Sequence, residues 1–202
     1  MKIGIIGAGQ IGGSLTRRLM SVGHEVYVAN SRGPETLGKL AAETGATHVS
    51  ASKAAQSGEL VIVDTGNYYP RQRDGRIEAI EAGMPESLWV EQQLGRPVVK
   101  AFNNILAQHL LEFGRPKGSA GRIALPVAGD DNVAKSVMLR LVDELGFDGI
   151  DAGGGLDESW RQRPGTPVYC ADLDAEGKIR ELHSIVAPRK LSAIHWSCTE
   201  MS

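Results

Sequence analysis

The sequence predicts a doubly wound α/β fold on a mostly parallel sheet, and three observations carry that prediction. A short apolar run, Ile3 to Ile6, ends in glycine, as a strand buried on both faces does. Residues 10 to 22 follow with apolar positions at helical spacing. The same alternation of short apolar run and amphipathic stretch then recurs as far as Asp64. That βαβαβαβ order implies parallel strands joined by right-handed crossovers.

In the first helix Ile11, Leu15, Leu19 and Val22 form one stripe, which Gly23 closes. Glu25 to Ala29 reads as the second strand. Residues 34 to 44 carry Leu37, Leu40 and Ala41 at helical spacing, with Pro34 in the first turn and Gly45 at the end. Thr47 to Val49 is a small third strand, Ser52 caps a short helix through Gln56, and Leu60 to Asp64 is the fourth strand. Residues 66 to 96 are less regular, with short helices near 75–82 and 86–94. Pro97 to Ala101 is a fifth strand, Ile105 to Glu112 a helix, and Arg115 to Gly121 a loop rich in Gly, Pro and basic residues. Arg122 to Ala128 is a sixth strand. Asn132 to Leu145 is an amphipathic helix with Val133, Val137, Leu141 and Leu145 on one face, and Phe147 to Asp151 is the last strand. Past Gly153-Gly154-Gly155 the pattern weakens, apart from helical stretches near 156–162 and 174–184. The expected organisation is a nucleotide-binding domain over 1–155 and a short C-terminal extension over 156–202 packed on it.

Composition narrows the function classes. The 202 residues are 42% hydrophobic and 23% charged, an ordinary globular usage. Lys and Arg number 22 against 24 Asp and Glu, a net charge of −2 without long runs of one sign. Bulk charge thus supports neither a nucleic-acid nor a membrane-surface partner. No stretch approaches the roughly 18 uninterrupted apolar residues of a membrane span. The glycines at 4, 7, 9, 12 and 13 make the N-terminus a strand and turn, not a signal peptide. Cys170 and Cys198 form neither a CxxC pair nor a metal spacing and fit a reducing, cytoplasmic setting.

The chemistry begins at Gly7-Ala8-Gly9-Gln10-Ile11-Gly12. A GxGxxG string is weak alone, but this one follows a strand and opens a helix inside a βαβ unit. Gly7 permits the tight turn, Gly9 lets the backbone approach a pyrophosphate, and Gly12 lets helix pack on strand. The helix N-terminus offers free N–H groups and the positive end of its dipole. This is the Rossmann-like fingerprint. The competing interpretation is a ligand-free glycine-rich turn. The end of the second strand, Asn30-Ser31-Arg32, lacks the acid that accepts the ribose hydroxyls of NAD. Asn30 and Ser31 can donate to a 2′-phosphate and Arg32 can pair with it, so NADP(H) is expected. A solvated loop arginine is the alternative.

Three stretches together resemble a family: the fingerprint with Asn30-Ser31-Arg32, the strand Val98 to Ala101 running into Phe102-Asn103-Asn104-Ile105, and Leu125-Pro126-Val127-Ala128-Gly129-Asp130-Asp131 before a long helix. Over roughly residues 1 to 155 the chain resembles the coenzyme F420-dependent NADP oxidoreductases and the related reductase domain of the STEAP metalloreductases. The resemblance implies that Ala8 through Ile11 hold the pyrophosphate and that Ser31 and Arg32 hold the 2′-phosphate. It implies that Thr65-Gly66-Asn67 and Ala101-Phe102-Asn103 flank the nicotinamide, where open α/β sheets also bind ligands. Turn chemistry alone also accounts for Asn67, Asn103 and Asn104. The family's His-containing segment after the fifth strand and its apolar C-terminal helix are replaced by Phe102-Asn103-Asn104 and by Leu156 to Gly165 with a polar tail.

The expected activity is hydride transfer between NADP(H) and a small redox acceptor, F420 or another flavin-like ring. Such transfer asks little of side chains, and no catalytic residue is assigned. Tyr-xxx-Lys is missing at Tyr27, Tyr68, Tyr69 and Tyr169. Hydroxyacid and pyrroline-carboxylate reductases need a helical C-terminal domain on the order of a hundred residues, for which little apolar periodicity remains. Trp160, Arg161 and Arg163 are read either as an acceptor wall or as a packed ring with surface arginines. His109 is read as structural, and a Cys198–His195 thiolate pair lacks any sign of activation. A non-catalytic NADPH-binding sensor is the rival from another class, and a pocket completed across a homodimer is a third reading.

Overall fold

The computed structural model describes residues 1–30, 32–57 and 62–184, with side chains as far as residue 179. Ser31, 58–61 and 185–202 fall outside, and with them His195, Cys198 and the start of the expected fourth strand.

Five strands form a parallel sheet in the order β3-β2-β1-β4-β5. They are β1 (Lys2–Ile6), β2 (Glu25–Ala29), β3 (Thr47–His48), β4 (Ile62–Asp64) and β5 (Val98–Lys100). β1 pairs with β2 from Lys2↔Glu25 to Ile6↔Ala29, and on its other side Gly4 meets Ile62 of β4. The chain order therefore reverses between β1 and β4, which makes that crevice the switch point of the sheet. Beyond β5, Lys100 and Ala128 exchange antiparallel backbone hydrogen bonds of 2.8 and 3.0 Å. They join the sheet to a parallel pair, β6 (Ala124–Val127) and β7 (Asp148–Asp151).

Alternation along the strands sends side chains to two faces. On one, Ile3, Ile5, Val63 and Val99 pack with Leu15 and Leu19 of α1 (Gln10–Ser21), Leu110 of α6 (Ala107–Glu112) and Val137, Met138 and Leu141 of α7 (Asn132–Glu144). On the other, Ile62 and Val98 pack with Ala55 of α3 (Ala51–Ser57), with Leu88, Val90 and Leu94 of α5 (Glu86–Leu94), and with Leu156. The doubly wound, Rossmann-like α/β fold is thus confirmed. Leu156–Gln162 is a 3₁₀ helix lying on α5 and β5, and α8 (Ala175–Ser184) lies against β6.

Several local expectations change. The helix expected over 34–44 divides into a 3₁₀ turn, Pro34–Leu37, and α2 (Gly38–Thr44). The short helix of 75–82 shrinks to α4 (Glu78–Glu81), preceded by a π turn over Pro70–Asp74. Ser50, not Ser52, closes the start of α3, its hydroxyl accepting from Lys53 N–H at 3.2 Å. Val22 leaves the α1 stripe because the helix ends at Ser21. Val133 is 63% exposed, and Ala134 and Met138 complete the buried stripe of α7 instead. In both cases the outlier sits at or beside a helix end, past the reach of the sheet.

The Gly129-Asp130-Asp131 segment is a bracket. Asp131 caps α7, its carboxylate accepting from Val133 N–H at 2.8 Å and Ala134 N–H at 3.1 Å. Asp130 accepts from Leu156 N–H at 3.1 Å and so fastens the 3₁₀ turn to the end of β6. Asp131→Ala should cost about 1 kcal/mol, or roughly 2–4 °C in a thermal melt; Asp131→Asn should cost little.

Candidate functional site

The carboxyl ends of β1, β2, β4 and β5 meet on one rim. At β1 the chain turns through Gly7, whose φ of +109° lies where a side chain would be strained, and its N–H donates to Ala29 O at 2.8 Å. A Cβ on Gly12 would fall 1.7 Å from Gly7 O, so the helix reaches the turn only because residue 12 has none. A Cβ on Gly9 would meet nothing within 4 Å. No side chain caps α1 and no acid occupies its first turn. Its leading N–H groups, which lack intrahelical partners, therefore face the crevice at Gly9 with the positive dipole end behind them. Ala8 and Ile11 are partly buried against the core, while Gln10 is exposed.

At the end of β2 the Asn30 side chain is engaged within the loop. Its amide donates to Thr36 Oγ1 at 2.9 Å and its Oδ1 accepts from Arg32 N–H at 3.0 Å. These bonds make Asn30 a residue that shapes the loop. The Arg32 side chain is exposed and has no ion-pair partner among the described residues. Ser31 lies outside them.

Behind the rim, β4 and β5 hold a buried charge cluster that sequence reasoning missed. Lys100 Nζ sits 2.9 Å from Asp64 Oδ2, donates to Gly66 O at 2.8 Å and lies 3.7 Å from Glu86 Oε2. Ser87 Oγ donates to Asp64 at 2.7 Å, and Gly66 N–H does so at 2.9 Å. Burial pushes the Asp64 carboxyl up, but the Lys100 ammonium, Ser87 hydroxyl and Gly66 N–H outweigh it and hold it below the usual range. Glu86 shifts upward, through burial and the neighbouring Asp64 charge, against the pull of Lys100. The signal in the sequence was a charge at the carboxyl end of each of two apolar strands, Asp64 and Lys100, which adjacent parallel strands place side by side.

The cluster anchors the segments expected to flank a nicotinamide. Thr65, Gly66 and Asn67 are half-buried at the end of β4. Asn67 and Asn103 bond reciprocally, Asn67 Nδ2 to Asn103 O at 2.9 Å and Asn103 Nδ2 to Asn67 Oδ1 at 3.1 Å. Ala101, Phe102 and Asn103 are buried, with Phe102 at φ +61°, a conformation a non-glycine residue holds only under constraint. Asn103 also donates to Gln162 O at 2.8 Å, and Asn104 O accepts from Cys170 N–H at 3.0 Å, which ties this rim to the C-terminal segment. Of the proposed acceptor wall, Arg161 is spent on Glu158 at 2.7 Å and on the Trp160 ring, 5.9 Å from its centroid, while Arg163 is exposed. His109 pairs with Asp172 at 2.6 Å and stacks on Phe113.

A concavity of about 380 Å³ lies away from this rim, by the last turn of α1, lined by Arg18, Arg115, Lys117 and Arg122. Arg122 is already paired with Asp143 and Asp148, and Lys117 with Asp143, so the concavity is a brace. Among the described residues no helix is long and apolar enough to cross a membrane, and no cluster could hold a metal.

Comparison with known proteins agrees with this fold. Residues 2–67 match the family described as NADP oxidoreductase coenzyme F420-dependent. The chain is 48% identical over 65 residues to the protein YjhV of Escherichia coli K12, a match covering 32% of this chain and about half, 47%, of that relative. A hypothetical protein from Sinorhizobium meliloti superposes with a TM-score of 0.68 at 27% identity, over 86% of this chain and 95% of that one. A candidate F420-dependent NADP-reductase from Arthrobacter sp. FB24 shares the fold, with a TM-score of 0.61 at 21% identity over 79% of this chain and 87% of that one. The segment that builds the β1 turn, α1 and the end of β2 is thus the part of the chain that is similar to the family of coenzyme F420-dependent NADP oxidoreductases.

Proposed function

We propose that this chain is an NADP(H)-dependent oxidoreductase that exchanges a hydride between the nicotinamide and a flavin-like or deazaflavin acceptor. The observation that carries the reading is the uncapped α1 N-terminus facing open space at Gly9. The Gly7 to Gly12 turn would hold the pyrophosphate by backbone N–H groups. Arg32, with Asn30 shaping its loop, would hold the 2′-phosphate. Thr65-Gly66-Asn67 and Ala101-Phe102-Asn103, braced by Lys100 and Asp64, would border the nicotinamide. The bound dinucleotide supplies the hydride; the protein supplies position and exclusion of water.

Calorimetric titration of NADPH and NADH into wild-type and Arg32→Ala protein tests the cofactor assignment. Loss of a charge-assisted phosphate contact should raise the NADPH dissociation constant about 10- to 100-fold and leave that for NADH nearly unchanged. Equal losses for both would overturn it. Oxidation of NADPH with F420 or riboflavin, followed by its absorbance, tests the acceptor class. Tight NADPH binding without turnover would favour a sensing module instead.

A further inference from the structure

The rim carries a pair of phenols that the assignments above leave without a role. Tyr69 follows Asn67 off the end of β4, and Tyr169 precedes Cys170, whose N–H is bonded to Asn104 off the end of β5. Their hydroxyl oxygens lie 2.9 Å apart, across 100 residues of sequence, and both residues are half-buried. We propose that this pair is the acceptor-recognition element of the site, with Tyr69 donating its hydroxyl proton to a carbonyl oxygen conjugated to the hydride-accepting atom of a planar acceptor.

This rests on the hydride-transfer reading and gives its acceptor a chemical feature. Two hydroxyls in one hydrogen bond hold two hydrogens, and only one lies between them. Either hydroxyl can be the donor in that bond. Burial, then the bond to Tyr69, pushes the Tyr169 phenol well above the usual tyrosine range, so it stays protonated. Next in line is the Cys170 thiol, which burial pushes up and keeps protonated. When Tyr169 donates to the Tyr69 oxygen, the Tyr69 hydrogen is left for a third group, and the Tyr169 hydroxyl supports charge developing on Tyr69 as that hydrogen leaves. The Arg73 guanidinium lies 5.6 Å from the centre of the Tyr69 ring and favours negative charge developing on that phenol. Arg73 also donates to Asn67 O at 2.7 Å, which fixes it to the same rim. The second charge near Tyr69, Asp74, is paired with Arg73 at 2.6 Å and accepts from Tyr69 N–H at 2.7 Å.

The reaction balances. NADPH gives two electrons and one hydrogen as hydride to the acceptor's electrophilic ring atom. The conjugated carbonyl oxygen takes one proton from Tyr69, which is reprotonated from solvent. The products are NADP⁺ and the dihydro acceptor. Flavins and deazaflavins both present such a carbonyl; ferric chelates do not.

Riboflavin is the probe, titrated by quenching of its fluorescence in the presence of NADP⁺ into wild-type, Tyr69→Phe and Tyr169→Phe protein. Each variant keeps its ring, and unchanged thermal melts and NADPH affinity establish that the fold and cofactor site are intact. Tyr69→Phe should weaken riboflavin about tenfold, the worth of one hydrogen bond at a half-buried site, and Tyr169→Phe by less. The solvent deuterium isotope effect on riboflavin reduction should fall toward unity in Tyr69→Phe. Riboflavin bound equally by wild-type and Tyr69→Phe, or not bound by wild-type, would overturn the proposal while leaving cofactor binding intact. Failure of the wild-type protein to bind NADPH would overturn the function proposed above.

Discussion

Lys100→Met should cost about 3–5 kcal/mol, the usual penalty for stripping one partner from a buried ion pair. For a chain of this size that is a fall of roughly 6–20 °C in melting temperature. Methionine fills much of the same volume, so the loss is electrostatic. Lys100 is 3% exposed and Asp64 7%, so the Asp64 carboxylate left behind does not gain enough water to replace the ammonium. Glu86 and Asp64 would then face each other without the cation between them. The pH dependence separates this from a packing defect. In the wild type the depressed Asp64 pKa contributes stability above the normal carboxyl range, lost only as pH falls through the lower folded value. In the variant both carboxyls are raised, so the folded state binds more protons than the unfolded state, and stability declines as pH rises. The gap between wild type and variant should therefore narrow from pH 8 to pH 5 in denaturant melts. A gap that stays constant would assign the loss to packing alone. Because Lys100 also holds the Gly66 carbonyl, NADPH affinity should fall with stability.

What could be read from the sequence was what local chemistry determines. β1, α1 and β2 are contiguous, and their apolar periodicity, the closing glycine and the GxGxxG turn all act within about thirty residues. The long stripe of α7 was legible for the same reason, missing only Val133 where the helix outruns the sheet. The charge cluster and the phenol pair were not. Asp64 and Lys100 stand 36 residues apart, and Tyr69 and Tyr169 stand 100 apart. No periodicity links such positions; only the pairing of β4 with β5 and the return of the chain after the 3₁₀ turn bring them together. The asparagines were an intermediate case. Their place at the strand ends was foreseen, but their reciprocal bonding, which turns two loop residues into one rigid rim, needed the register of two strands. The Gly-Asp-Asp segment, among the more family-specific motifs, proved to hold a helix cap and a turn fastening.

The same substitution to alanine should cost stability at Gly12 and not at Gly9, while weakening NADPH at both, and that contrast tests the cofactor site most sharply. In Gly12→Ala the new Cβ would stand 1.7 Å from a backbone oxygen, Gly7 O, and no rotamer change relieves it. Helix α1 must move off the turn, separating Leu15 and Leu19 from β1. That loss belongs with overpacked cores, about 1–3 kcal/mol or more, and NADPH binding should fall because the turn itself is displaced. In Gly9→Ala the backbone, at φ −72° and ψ −161°, suits any residue, and no protein atom lies within 4 Å of the new methyl. Stability should stay within about 0.5 kcal/mol of wild type. NADPH affinity should nevertheless drop by about tenfold or more, because a close backbone approach to the pyrophosphate tolerates no Cβ there. An unchanged melt with weakened NADPH places the phosphates over Gly9; an unchanged melt with unchanged affinity would move them elsewhere. A requirement for glycine at position 9 would have to come from a ligand, whereas the fold itself requires it at position 12.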